Sequence, residues 1–288
     1  MTVISLKARE WVRVPTDPQS RTVSGAVPWP KATGNEELAV TEKATGVPLQ
    51  LRDEQPDELL KPPRRDKGRR LLTERDRVVL TWMAEQYGAP VDQLQRLLAR
   101  DPGRRLTTEG SVSLSGARHV VRRWEEGGYA ESRKFFFKEQ PWAWPTRKTL
   151  RHLRLDLPAY TPTVGLIDHH RWVNETRLYL EGPNYPGEVT WRAERFLKSR
   201  DARSGEIHYA DAEAEVRGIT VAIEVELSQK KQHDLRLILG ELVGRYELVW
   251  YYTNTKARPA VERAVQGLTP DQQEQVEIYA LEKLPEIG

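Results

Sequence analysis

The stretch ADAEAEVRGITVAIEVEL, residues 210–227, decides how the second half of the chain folds. Apolar and charged residues alternate on both sides of Arg217-Gly218, as expected of two half-buried strands joined by a tight turn. With a two-residue turn, paired positions sum to a constant. Val216 then opposes Ile219, Ala214 opposes Val221, and Asp211 opposes Glu224. Along the return strand Ile219, Val221, Ile223, Val225 and Leu227 share one face, leaving Glu224 and Glu226 on the other, because strand side chains alternate with period two. Carboxylates directly across a ladder repel one another. A divalent cation between Asp211 and Glu224 removes that repulsion, and oxygen ligands of this kind suit Mg²⁺ or Mn²⁺. The competing reading is a hairpin face open to water, to which Glu213 and Glu215 on the same side lend support.

Working outward, a helix is expected over 188–198, carrying Glu194, and a strand near 207–209. After the hairpin the pattern predicts a helix over 229–246, a strand over 248–252, a helix over 259–266 and a strand over 275–281. This order gives a mixed sheet with helices packed on it. Lys230 falls on the predicted helix just beyond Glu226, where an amine can orient water or hold a phosphate. Two other signals read as structural. Asp168-His169-His170 marks the start of a helix over 168–180, and neighbouring histidines on a helix point about 100° apart. Tyr251-Tyr252 sits in an apolar run typical of a buried strand.

The preceding segment reads differently. Thr73-Glu-Arg-Asp76 resembles a capping box, with Val79, Leu80 and Met83 following at helical spacing until Gly88-Ala-Pro90. Helices over 91–98 and 115–126 come next, then strand-like runs at 129–131 and 135–144 separated by Ser132-Arg-Lys134. Three helices and a hairpin in this order spell a winged helix-turn-helix. In the third helix Ala117, Val120, Val121 and Trp124 make one apolar stripe, so Arg118, His119, Arg122 and Arg123 are placed on the opposite face. That face would enter a major groove, where Arg donates two hydrogen bonds to guanine. Arg133, Lys134 and Lys138 on the wing, and Arg147 and Lys148 in the basic segment after it, are placed to meet phosphates.

The whole is thus expected to be α+β: a tail over 1–70, a winged helix over 71–157, a connector over 158–186 and an α/β domain with a mixed central sheet over 187–288. The tail holds eight of the 19 prolines and ends in KPPRRDKGRR, residues 61–70, a candidate arm along a phosphate backbone. A net charge of +3 over 288 residues says little about partners; its distribution says more. The absence of Cys excludes disulfides and thiolate metal sites. No run of about 18 apolar residues appears, and the first residues turn polar at once, so a soluble cytoplasmic protein is expected. No GxxxxGK[ST] loop is present, which argues against an NTPase.

Glu194 on a helix, then Asp211, then Glu224-Val-Glu226 on the return strand and a further helix, resembles the PD-(D/E)xK nuclease superfamily. The winged helix followed by this core is similar to the plasmid replication-relaxation family and to a class of mobilisation relaxases. The resemblance covers about residues 71–266 and rests on order and spacing. It implies Asp211 and Glu224 as metal ligands with Glu194 as an accessory, and a metal-dependent endonuclease or nickase acting on double-stranded DNA. Other replication or transfer proteins and a second copy of the chain would be its protein partners. Two positions depart from the pattern: Ala210 stands where Pro is common, and Glu226 where Lys is expected. Some restriction-type enzymes are similar in carrying E-x-E, and Lys230 would supply the amine. The alternative is a DNA-binding regulator with a degenerate, non-cutting core.

Overall fold

The computed structural model describes residues 71–284 apart from 102–105, 108–109, 184, 186 and 201–207. The expected tail and its basic end therefore lie outside the described residues. Those described fall within one compact unit, Pro62–Gly288. They form a mixed α+β chain with nine α-helices and two sheets.

Helix α1 (Glu74–Glu85) starts where the capping box predicts. The Asp76 N–H donates to Thr73 Oγ1 at 3.2 Å, and the Thr73 N–H donates to Asp76 Oδ2 at 2.9 Å. It ends at a chain reversal in which Tyr87 and Gly88 both take positive φ. A Cβ on Gly88 would lie 2.6 Å from Ala143 O, so only glycine fits there. The two-residue β1 (Ala89–Pro90), α2 (Val91–Ala99) and α3 (Leu114–Glu126) follow, α3 capped by Ser113. Then come β2 (Ala130–Arg133), β3 (Trp142–Pro145) and α4 (Arg147–Leu153). The first sheet has order β1-β3-β2, all antiparallel. Its helices enclose Leu80, Met83, Leu94, Val121 and Trp124.

The hairpin differs from expectation in extent. Phe135-Phe-Phe137 is loop, and Ser132 and Arg133 belong to the strand that precedes it. The fully buried Trp142-Ala-Trp-Pro145 takes the ladder instead, with Glu131 opposite Trp144. Three phenylalanines in a row have strand propensity, but the tryptophans bury more surface against the core.

Helix α5 (Val164–Leu180) occupies most of the expected connector. Leu178 on it packs into the helical core, and α5 touches both β1 and the second sheet. The second sheet has order β4-β5-β6-β7-β8, with β4 (Val189–Ala193), β5 (Ala212–Val216), β6 (Ile219–Glu226), β7 (Leu248–Thr253) and β8 (Val276–Ala280). The first three form an antiparallel meander, whereas β7 runs parallel to β6 and β8 parallel to β7. The β5–β6 register is the one the sequence predicts, with Val216 opposite Ile219 and Ala214 opposite Val221. Arg217 and Gly218 take φ of 53° and 80°, as a mirror-image turn requires.

The segment expected as one helix over 188–198 instead divides into β4 and the shorter α6 (Glu194–Arg200). Val189, Thr190 and Trp191 favour strand, and β5 offers them an unpaired edge, with Arg192 ion-paired to Glu213 across it. The strand expected near 207–209 is not formed over His208–Ala210, and Ile207 lies outside the described residues. Helices α7 (Gln232–Arg245), α8 (Arg258–Val265) and α9 (Pro270–Glu274) complete the unit. Leu235, Leu239 and Leu242 of α7 and Val261 of α8 cover the sheet face that carries Ala222, Val249 and Tyr251. No helix among the described residues is long and apolar enough to cross a membrane.

Candidate functional site

Glu224 and Glu226 alternate onto the same sheet face as Ala222, yet neither reaches water: they are 3% and 4% exposed. The competing reading of a hairpin face open to water therefore does not hold for these two residues, because β6 lies in mid-sheet and α7 covers that side. Two carboxylates at the carboxyl end of a central strand need partners. The segment before β5 and the loop after β6 supply them.

Asp211 sits one residue before β5, across from Glu224. The Val225 N–H donates to its Oδ2 at 2.8 Å, and His169 Nε2 lies 2.8 Å from its Oδ1. Glu224 Oε1 lies 2.9 Å from His208 Nε2. Glu226 Oε1 accepts from the backbone N–H and hydroxyl of Ser228, both at 3.1 Å, while Lys230 Nζ stands 2.8 Å from its Oε2. Lys230 is not on a helix as expected: α7 begins at Gln232, and the lysine curls back from the preceding loop.

The electrostatics follow from burial opposed by neighbours. Burial alone would depress His169, but Asp211, with Glu224 and Glu194 beyond it, pushes it up to about 9. Burial alone would raise Asp211, yet the His169 charge and the Val225 N–H hold it below the usual carboxylate range. Glu224 moves the other way: burial and then the Asp211 charge push it upward, and His208 only partly offsets them. His208 and Lys230 are both raised, Glu224 and Glu226 overcoming the depression that burial imposes on each.

Glu194 heads α6 and lines a narrow cleft with Tyr87, His169, His170 and Asp211. Its oxygens are engaged elsewhere, accepting from the Tyr87 hydroxyl at 2.8 Å and pairing with Lys198 at 2.6 Å. Among the described residues no three His, Asp or Glu side chains stand ready to hold a metal ion. The structure thus brings Asp211, Glu224, Glu226 and Lys230 together and leaves Glu194 at the margin. Tyr251 and Tyr252 are buried core, as expected.

His169 and His208 are the residues that sequence reasoning missed. Adjacent histidines do diverge on α5: His169 reaches Asp211, while His170 stacks on Tyr87 with centroids 4.6 Å apart. The divergence excludes a joint site and does not exclude one histidine reaching a carboxylate 42 residues away. The signal available was that an α5-type helix must pack on the sheet that follows it.

The basic residues divide as well. Arg118, His119 and Arg122 are exposed on α3, with Arg118 donating to Gln140 Oε1 at 2.8 Å. Arg123 does not share that face; it pairs at 2.5 Å with Asp76, which is wholly buried. Arg133, Lys134 and Lys138 are exposed around the β2–β3 loop, and Arg147 and Lys148 are exposed on α4. Lys148 is partly engaged, donating to Gly127 O at 2.7 Å and lying over the Tyr129 ring.

No family model, curated protein or solved structure matches the chain.

Proposed function

We propose that the chain is a DNA-binding, divalent-metal-dependent endonuclease or nickase, with a winged helix-turn-helix in α1–α3 and β1–β3 and a PD-(D/E)xK-like core in α5 and β4–β8. One observation carries the catalytic part: Asp211, partly buried one residue before β5, lies beside the buried Glu224 of β6, with a lysine amine beside the next carboxylate. Their chemistry fits a hard divalent cation. Burial and mutual repulsion push Glu224 upward, which a doubly charged ion relieves. Mg²⁺ ordinarily takes only one or two protein carboxylates, with water and phosphate filling its other positions. Asp211 and Glu224 would hold it, and when bound it supplies Lewis-acid polarisation of the phosphate. Lys230, ion-paired to Glu226, provides the amine expected at position 226 and would neutralise a phosphate oxygen drawn to the site. Exposed Arg118 and Arg122 on α3, with the loop cations, would hold the duplex. By the resemblance to the replication-relaxation family, the substrate is plasmid or mobile-element DNA in the cytoplasm.

Incubation with supercoiled plasmid and Mn²⁺ or Mg²⁺ tests this. Relaxed circles are expected with the wild type and not with Asp211→Asn of unchanged fold. Plasmid that stays supercoiled with every divalent ion removes the catalytic part.

A specific observation favours a second reading, in which the chain grips DNA without cutting. Both carboxylates already have imidazole partners, and Glu226 replaces the expected lysine. On that reading DNA binding is indifferent to EDTA.

A further inference from the structure

We propose that Phe137, at the tip of the β2–β3 loop, is a wedge that stacks into a base step of bound DNA; this rests on the DNA-binding reading above. The loop spans 134–141, between Arg133 and Trp142. Its three phenylalanines have different fates. Phe135 and Phe136 are partly buried and pack on the cluster of Trp142, Trp144 and Ile167. The Glu139 N–H donates to Phe136 O at 3.4 Å, closing a turn. Phe137 is left 88% exposed, more than any other large apolar side chain among the described residues.

A lone exposed apolar side chain is ordinary on a protein surface. Its surroundings distinguish this one. Lys134 Nζ lies 5.4 Å from the Phe137 ring centroid, Lys138 is exposed beside it, and Arg133 stands 5.6 Å from the Phe135 ring. The return limb of the loop is tied to α3, because Gln140 accepts from Arg118. An exposed aromatic ring with one ammonium over it, on a loop that carries further cations at Arg133 and Lys138, therefore adjoins the basic face of α3. The complementary partner presents flat π-faces and a polyanionic backbone together, which is the chemistry of a nucleic acid. An apolar protein surface would accept the ring but would have to desolvate the surrounding cations. Anchoring through Phe135 and Phe136 fixes the base of the loop, so the tip is presented without ordering the whole segment on binding.

Insertion of a side chain between bases requires unstacking them, so DNA with an already open step should bind more tightly. The test is fluorescence anisotropy of the full chain with a labelled duplex, fully paired or carrying one unpaired nucleotide, at several salt concentrations. The wild type is expected to prefer the duplex with the unpaired nucleotide. Phe137→Ala should weaken binding by about 10-fold or more and abolish the preference while keeping the salt slope, since stacking and phosphate contact are separate contributions. Phe137→Trp should retain affinity and preference. Lys134→Ala should instead flatten the salt slope. An 88% exposed tip residue leaves the fold intact, which unchanged circular dichroism would verify. If Phe137→Ala binds both duplexes as the wild type does, the wedge is overturned and the DNA reading stands. If the wild type binds neither duplex, both are overturned.

Discussion

His170 offers a quantitative test of how α5 meets the reversal after α1. It is 7% exposed and stacked on Tyr87 with Tyr160 edge-on at 5.8 Å, and its Nδ1 meets no partner. Burial first, then the neighbouring His169 charge, with smaller depressing contributions from Lys198 and Arg195, lower it to about 3; Asp211 opposes them. The fold therefore holds His170 neutral, whereas the unfolded chain protonates it below its ordinary value of 6.5. Between those two values the unfolded state binds the extra proton, so stability falls as pH drops through 6.5, and the loss levels off near 3. Integrating the linkage from pH 7 to pH 5 gives a cost of about 2 kcal/mol from this one residue. For a unit of this size that corresponds to a fall in Tm of about 4–8 °C. His170→Phe keeps the stacking on Tyr87 and cannot titrate. Thermal unfolding of both proteins at the two pH values isolates the term, because every other titrating group is common to them. Wild type should lose about 4–8 °C more than the variant on acidification. Equal losses would refute the reasoning, and with it the placement of His170 as a buried neutral ring.

Three further outcomes are expected, the first of them on the proposed DNA-binding reading. Arg118→Ala with Arg122→Ala should weaken DNA binding strongly and lower its salt dependence in gel-shift titrations, whereas Arg123→Ala should leave binding intact. The latter should instead lower stability in denaturant by about 1–3 kcal/mol, because it removes the closer of the two guanidinium groups paired with buried Asp76. At the β5–β6 turn, Arg217→Asn should raise the denaturation midpoint by the equivalent of about 0.5–1 kcal/mol, since a non-glycine residue at φ 53° is strained and Asn tolerates that region better.

The sequence by itself determined what depends on near neighbours. The Thr73–Asp76 cap, the α3 stripe and the β5–β6 register are each specified within a few residues or by the parity of one turn. So was the proximity of Asp211 to Glu224, because a two-residue turn leaves no freedom in which residues oppose. Tertiary structure decided the rest. Residues 189–193 became strand since β5 had an edge to fill, which overrode their helical reading. Arg123 left the basic face for a buried carboxylate 47 positions earlier, and Glu194 was claimed by Tyr87 rather than by the acidic pair. His169 and His208 entered the site from α5 and from the irregular segment before β5, and no local period encodes either approach. Periodicity reports which face of an element is apolar; only packing selects what that face, or the polar one behind it, will meet.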